Sequence, residues 1–157
     1  MVVLLVRHAV AVSRRSWTED DALRPLNERG GRQAAALVGE LKTFDVVRVL
    51  ASPTVRCVAT VEPLAVARGL DVVNENDLFE GEGPRALALI RSMLTAPGGG
   101  QAVVLCSHGD VIPECLDVLA REGADLGDGG RCQKGSVWAL RRDRDGRTTG
   151  CYTPPAA

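Results

Sequence analysis

Three short aliphatic runs, Val2 to Val6, Val46 to Ala51 and Ala102 to Cys106, decide the fold class of this chain. Each is rich in Val, Leu and Ala and too short for a buried helix. Such runs read as strands covered on both faces. Helical spacing fills the intervals between them. Asn27 stands as an N-cap before the stripe Ala34, Leu37, Val38 and Leu41, and Pro53 opens the stripe Val55, Val58 and Val61. Pro63 within that second stripe predicts a kink or an early end, and Gly69 precedes a short strand over Leu70 to Val73. Gly81 to Pro84 introduces a helix with Leu87, Ile90 and Leu94 on one side, stopped by the run from Pro97 to Gly100. Val111, Ile112, Cys115 and Leu119 mark another. Two further strands, Ser136 to Leu140 and Thr148 to Tyr152, flank the turn dipeptide Asp145-Gly146. Ser13 to Asp21 lacks periodicity and reads as a surface loop, and residues 121 to 134 are Gly-rich and irregular. Alternating strands and helices predict an α/β fold, a three-layer αβα sandwich around a mostly parallel central sheet. With 157 residues and no linker or repeat, a single domain over 1–157 is expected.

Charge and cysteine content exclude several classes. Nineteen basic residues face 20 acidic ones, so broad electrostatic capture of a nucleic acid polymer or an anionic membrane is not expected. Arginine supplies 17 of those 19, with Lys42 and Lys134 the two lysines; coding bias alone produces such a ratio. No apolar stretch approaches the roughly 18 residues of a membrane span. The apolar residues 1 to 6 lack a basic leader and a cleavage site, so no signal peptide is expected. Five cysteines, an odd number with no C-x-x-C, disfavour a disulfide framework or a zinc ribbon. Reduced thiols and a cytoplasmic location fit best.

The chemistry concentrates where strands end. The first aliphatic run leads into Arg7-His8, the second into Ser52-Pro53 with Arg56 one turn on, and the third into Ser107-His108-Gly109. In a parallel sheet these carboxyl ends share one edge, where open α/β folds bind ligands. Both histidines of the chain and two arginines would meet there, beside two helix N-termini. Singly, a histidine at a strand end is ordinarily a hydrogen-bonded structural residue, Arg7 a sheet-edge charge and Arg56 an exposed helix residue. Their coincidence points instead to a pocket for a phosphoryl dianion. Nearby positive charge keeps an imidazole neutral and nucleophilic, able to attack phosphorus in line while the other histidine and the arginines hold the oxygens. A carboxylic acid must then protonate the leaving atom. The candidates are Glu80 and Glu82, in a loop that can reach the crevice, and Asp110. Arg14-Arg15 and Arg141-Arg142 read as solvated faces. A metal site built from His8, His108, Cys106 and an acid is the rival chemistry; it lacks H-x-x-x-H spacing, and the arginines would repel a cation.

At these residues the chain resembles the histidine phosphatase superfamily, the phosphoglycerate mutase-like proteins. Leu5-Val6-Arg7-His8-Ala9 is similar to the opening R-H-G motif with Ala in the last place, as in short phosphohistidine phosphatases of the SixA type and phosphatase domains fused to nudix hydrolases. Arg24-Pro25-Leu26-Asn27-Glu28-Arg29-Gly30, Ser52 to Thr60, Ser107-His108-Gly109 and Lys134-Gly135-Ser136-Val137-Trp138 follow in the family's order across nearly the whole chain. The resemblance implies a phosphoglycerate mutase-like fold and His8 as the phosphorylated nucleophile. It also implies a phosphate pocket of Arg7, Arg56 and His108, and no metal or organic cofactor. The family acid lies between the second arginine and the second histidine, which favours Glu80, then Glu82. Asp110 ranks lower because Gly109 separates it from His108.

Between Phe79 and His108 there is room for one helix and a Gly-rich turn, which leaves little for a lid. A mutase must shield its phosphoenzyme from water. The expectation is therefore metal-independent hydrolysis of a phosphomonoester or a protein phosphohistidine at an open site. Its substrate would be a phosphorylated small molecule, a nucleotide or a phosphoprotein. A phosphate-recognition module that binds phosphorylated partners without turnover is the alternative.

Overall fold

Each aliphatic run became a strand because its alternate side chains found apolar cover on opposite faces. A computed structural model describes residues 1–156. Strand β1 (Val2–Arg7) sends Val2, Leu4 and Val6 to one side of the sheet and Val3 and Leu5 to the other, all of them buried. Behind it come α1 (Glu28–Glu40), β2 (Asp45–Ala51), α2 (Val55–Ala67), β3 (Val72–Asn74), α3 (Gly83–Thr95), β4 (Gln101–Ser107), α4 (Val111–Arg121), β5 (Val137–Arg142) and β6 (Thr148–Thr153). The six strands lie in the order β3-β2-β4-β1-β5-β6. Strands β1 to β4 run parallel, and β5 is antiparallel to both its neighbours. Leu37 and Leu41, with Val61, Leu64 and Ala65 of α2, cover the Val2-Leu4-Val6 face. Leu87, Ile90 and Leu94 of α3, with Ile112, Cys115 and Leu116 of α4, cover the Val3-Leu5 face. Each such buried aliphatic side chain contributes roughly 1.5–3 kcal/mol. The fold is the α/β sandwich that the sequence predicts.

Two local expectations changed. Pro63 neither ends α2 nor divides it; the helix runs unbroken from Val55 to Ala67. The lost hydrogen bond at Pro63 is outweighed by the burial of Val61, Leu64 and Ala65 on either side of it. The third strand starts at Val72 rather than Leu70, because Gly69 and Leu70 close α2. The Gly69 N–H donates to the Val66 carbonyl at 3.1 Å and the Leu70 N–H to the Ala65 carbonyl at 2.9 Å. That pairing is a Schellman stop and consumes the residue otherwise free to start a strand.

Sheet register then brings the strand ends together. Arg7 pairs with Ser107 across β1 and β4, and Ala51 with Cys106 across β2 and β4. The ladder continues one residue further, with the His8 N–H on the Ser107 carbonyl and the Ser52 N–H on the Cys106 carbonyl, both at 3.0 Å. Beyond β1 the chain crosses to the face holding α1, and beyond β4 to the face holding α4. Adjacent strands whose connections leave on opposite faces open a crevice at their carboxyl ends. Helix α1 closes the chain after β1 from one side. Its Gly30 sits so near Val10 that an added Cβ would lie 1.9 Å from the Val10 carbonyl oxygen. Gly30→Ala should therefore destabilise the protein by about 1–3 kcal/mol, read as a lower urea midpoint at unchanged m; an unchanged midpoint would show that α1 does not fix this segment.

Candidate active site

His8 and His108 follow directly from β1 and β4, and the register sets their rings 5.5 Å apart, edge to face. His8 is buried, with Nδ1 2.8 Å from the Ala9 carbonyl. That contact suits an Nδ1–H donor and leaves the Nε2 lone pair unencumbered. Burial pushes His8 down to about 3; the bond to Ala9 opposes this, and the charges of His108, Arg56 and Arg7 reinforce it. The imidazole is therefore neutral at pH 7. Its backbone is fixed from the side: the Thr60 hydroxyl accepts the Ala9 N–H at 2.9 Å and donates to the Arg56 carbonyl at 2.6 Å. Gln33 Oε1 accepts the Val10 N–H at 3.0 Å.

His108 is also buried, with Nε2 2.8 Å from Ser52 Oγ and 3.6 Å from Cys57 Sγ. When the Ser52 hydroxyl donates to Nε2, the ring proton sits on Nδ1. Glu80 Oε1 lies 3.3 Å from that Nδ1. Arg7 reaches the same region from the end of β1, its guanidinium donating to the Cys132 carbonyl. It lies flat against Gly109, where an added Cβ would fall 2.6 Å from the guanidinium carbon. A glycine after His108 is what lets Arg7 approach.

Arg56, in the first turn of α2, is fully buried rather than solvent-exposed. Its Nη2 contacts Glu80 Oε1 at 2.6 Å and Asp21 Oδ2 at 3.0 Å, and Nη1 donates to the Asp21 carbonyl at 2.8 Å. Burial works against ionisation of Asp21, but its bond to Arg24 and the charges of Arg56, Arg24 and Arg14 hold that carboxyl below the usual carboxylate range. Three buried nitrogens from the four predicted pocket residues have no hydrogen-bond partner: Arg7 Nε, Arg56 Nε and His108 Nδ1. Orphaned buried donors are costly, and an anion at this sheet edge can satisfy them.

The predicted residues thus divide by position. His8, Arg7, His108 and Glu80 line one cavity of about 710 Å³, and Arg56 backs it through Glu80. Asp110 also lines it, but its carboxylate accepts the Gly81 N–H at 2.9 Å and so anchors the Glu80 loop. Glu82 is absent from the lining and faces Arg85 at 3.5 Å. Arg14 is solvent-exposed as expected, and it also lines the cavity, with Glu80 at 3.4 Å and Asp21 at 3.7 Å. Sequence reasoning missed Asp21 entirely. The signal that finds it is the burial of Arg56, since a buried guanidinium requires carboxylate partners, and burial is a tertiary fact. Neither α2 nor α4 has a side-chain cap bond, which leaves their first-turn N–H groups without local side-chain acceptors.

The family model described as the histidine phosphatase superfamily (branch 1) matches residues 3–84. A curated relative from Mycolicibacterium smegmatis, an 8-oxo-(d)GTP phosphatase, is 34% identical over 98% of this chain. The chain spans about half of that relative's length, 48%. Among solved structures, the protein histidine phosphatase SixA complexed with tungstate has a TM-score of 0.73 at 21% identity, covering 100% of this chain and 97% of that one. A mycobacterial glucosyl-3-phosphoglycerate phosphatase has a TM-score of 0.74 at 17% identity, covering 98% and 97%. At those identities the structural likeness speaks for the fold.

The depressed His8 carries a stability consequence. The unfolded imidazole titrates near 6.5 and the folded one near 3, so between those values the unfolded chain binds more protons. His8's contribution to stability is then full above about pH 6.5 and is lost as pH falls toward 3. In urea titrations at stepped pH, His8→Gln should show a shallower acid decline than the wild type; parallel declines would mean that His8 titrates normally in the fold.

Proposed function

Because the chain belongs to the histidine phosphatase superfamily, we propose that it is a phosphatase working through a covalent phosphohistidine on His8, without a metal. The observation that carries this reading is the neutral His8 ring, tied at Nδ1 to Ala9, beside the three orphaned donors of Arg7, Arg56 and His108. In the first step His8 Nε2 attacks phosphorus. The bond to the leaving oxygen or nitrogen breaks, and Glu80 supplies the proton to that atom. Arg7, Arg56 and His108 hold the three remaining oxygens, whose charge redistributes in the transition state. In the second step water attacks phosphorus, Glu80 accepts its proton, and the P–N bond to His8 breaks. Ser52 acts on this chemistry through His108, and Thr60 through the Ala9 peptide next to the nucleophile.

The openness of the site and the relatives support a phosphoryl substrate open to water. Only α3 and a Gly-rich turn separate Glu80 from β4, which leaves the phosphoenzyme open to water and favours hydrolysis over phosphoryl transfer to a second substrate. A relative that is an 8-oxo-(d)GTP phosphatase supports a nucleotide-type phosphoryl group, and the fold likeness to a protein histidine phosphatase keeps a protein phosphohistidine in the same class.

His8→Ala should lower phosphatase activity by at least about 10³ in chelator-treated protein, and acid-labile phosphate should be trapped on His8 by rapid quench of the wild type. Retained activity in that variant would overturn the mechanism. Phosphate binding with no turnover over a panel of phosphohistidine peptides, nucleotides and sugar phosphates would instead make the protein a recognition module. Glu80→Gln should cost about 10²–10⁴ with poor leaving groups and little with p-nitrophenyl phosphate; an equal loss with both would reassign the proton donor.

A further inference from the structure

Glu80 occupies the approach to the donors that an incoming phosphoryl group needs: it bonds Arg56 and lies near His108 Nδ1 without a hydrogen bond to it. Its Oε1 lies 2.6 Å from Arg56 Nη2, 3.3 Å from His108 Nδ1 and 3.4 Å from Arg14 Nη2. The charged and titratable groups around it come from every neighbouring element: Arg14 and Asp21 from the loop after β1, Arg56 from α2, His108 from the end of β4 and Asp110 from the start of α4. Arg7, His8, Arg24 and Lys134 line the same cavity. Most of these are fixed. Arg56 is fully buried and bound to the Asp21 carbonyl and carboxylate. Asp21 is held again by Arg24 at 2.9 Å, and Asp110 by the Gly81 N–H. Glu80, on a loop with its side chain 34% exposed, is the one of these carboxylates that meets both Arg56 and His108, and water reaches it directly.

A dianion that enters beside an ionised Glu80 meets like charge on shared donors, in a site where burial strengthens the repulsion. We propose that Glu80 is a built-in competitor for the phosphoryl site: a tetrahedral dianion displaces its carboxylate from Arg56, and Glu80 takes up one proton from solution as it yields. The balance is one carboxylate, one dianion and one proton giving a carboxylic acid beside the bound dianion, with no other bond changed. This rests on the phosphatase reading above and extends it. The proton needed by the leaving group then arrives with the substrate, and the empty site keeps its positive charge matched.

Tungstate tests this, since it stays a dianion near neutral pH and any proton taken up belongs to the protein. Calorimetry in buffers of different ionisation enthalpy should find uptake of about one proton per tungstate bound by the wild type. The affinity should weaken about tenfold per pH unit between about pH 7 and about pH 8.5. Glu80→Gln should take up none, bind at least about a hundredfold tighter at about pH 8 and lose the pH slope. Glu82→Gln, whose native carboxylate faces Arg85, should track the wild type. Uptake that persists in Glu80→Gln would put the proton on a histidine and overturn the proposal, as would no uptake in the wild type or no gain of affinity in Glu80→Gln. If tungstate binds with no Glu80-linked proton, the phosphatase reading stands and this inference alone falls. No tungstate binding by any form would overturn both.

Discussion

A guanidinium with no exposed surface governs the architecture of this site. Removing Arg56 from water costs several kcal/mol unless carboxylates and carbonyls replace its hydration. The chain meets that demand with two loops distant in sequence, one carrying Asp21 and the other Glu80. Neither loop has an apolar stripe to fix it, so polar contacts do so: Arg24 holds Asp21, and Asp110 holds Gly81 beside Glu80. Arg56 therefore has an architectural role of its own. It draws both walls of the cavity onto the start of α2, and Arg14 and Arg24 extend the same network outward.

The second tension lies between cations and a neutral ring. His8 sits beside Arg7, Arg56 and His108, and its burial excludes the water that would stabilise an imidazolium. The same features that prepare the site for an anion thus keep the His8 lone pair available. The ring's geometry is set through backbone, since Ala9 contributes its carbonyl to Nδ1 and its N–H to Thr60. At His108 the pattern is inverted: a side chain, Ser52, takes the nitrogen turned away from Glu80. Two histidines of like type are thereby tied through different ring nitrogens, His8 through Nδ1 and His108 through Nε2.

The legible part of the sequence was periodic or terminal. Aliphatic runs announced β1, β2 and β4, and the residues just past their ends pointed to Arg7, His8 and His108. Asn27 was readable as a cap because its side chain acts on Gly30, three residues on. Pro63 does not end α2 because local propensity yields to the burial of Val61, Leu64 and Ala65 around it. Leu70 misled because a helix stop and a strand start compete for the same residue. Arg14, Asp21 and Ser52 carry no local signal: what each does depends on a partner about 30 or more residues away, and exposed loop composition is the same with or without that partner.

The sequence by itself determined that this chain forms a mostly parallel sheet with helices on both faces, and that its two histidines lie at one edge of it. Both follow from side-chain period and strand polarity, which are properties of neighbouring residues. Tertiary structure alone decided which acid enters the site, that Arg56 is buried, and which nitrogen of each imidazole is tied by a hydrogen bond. Those outcomes depend on desolvation and on contacts between segments far apart in the chain, and neither exists before the sheet has brought β1, β2 and β4 into register.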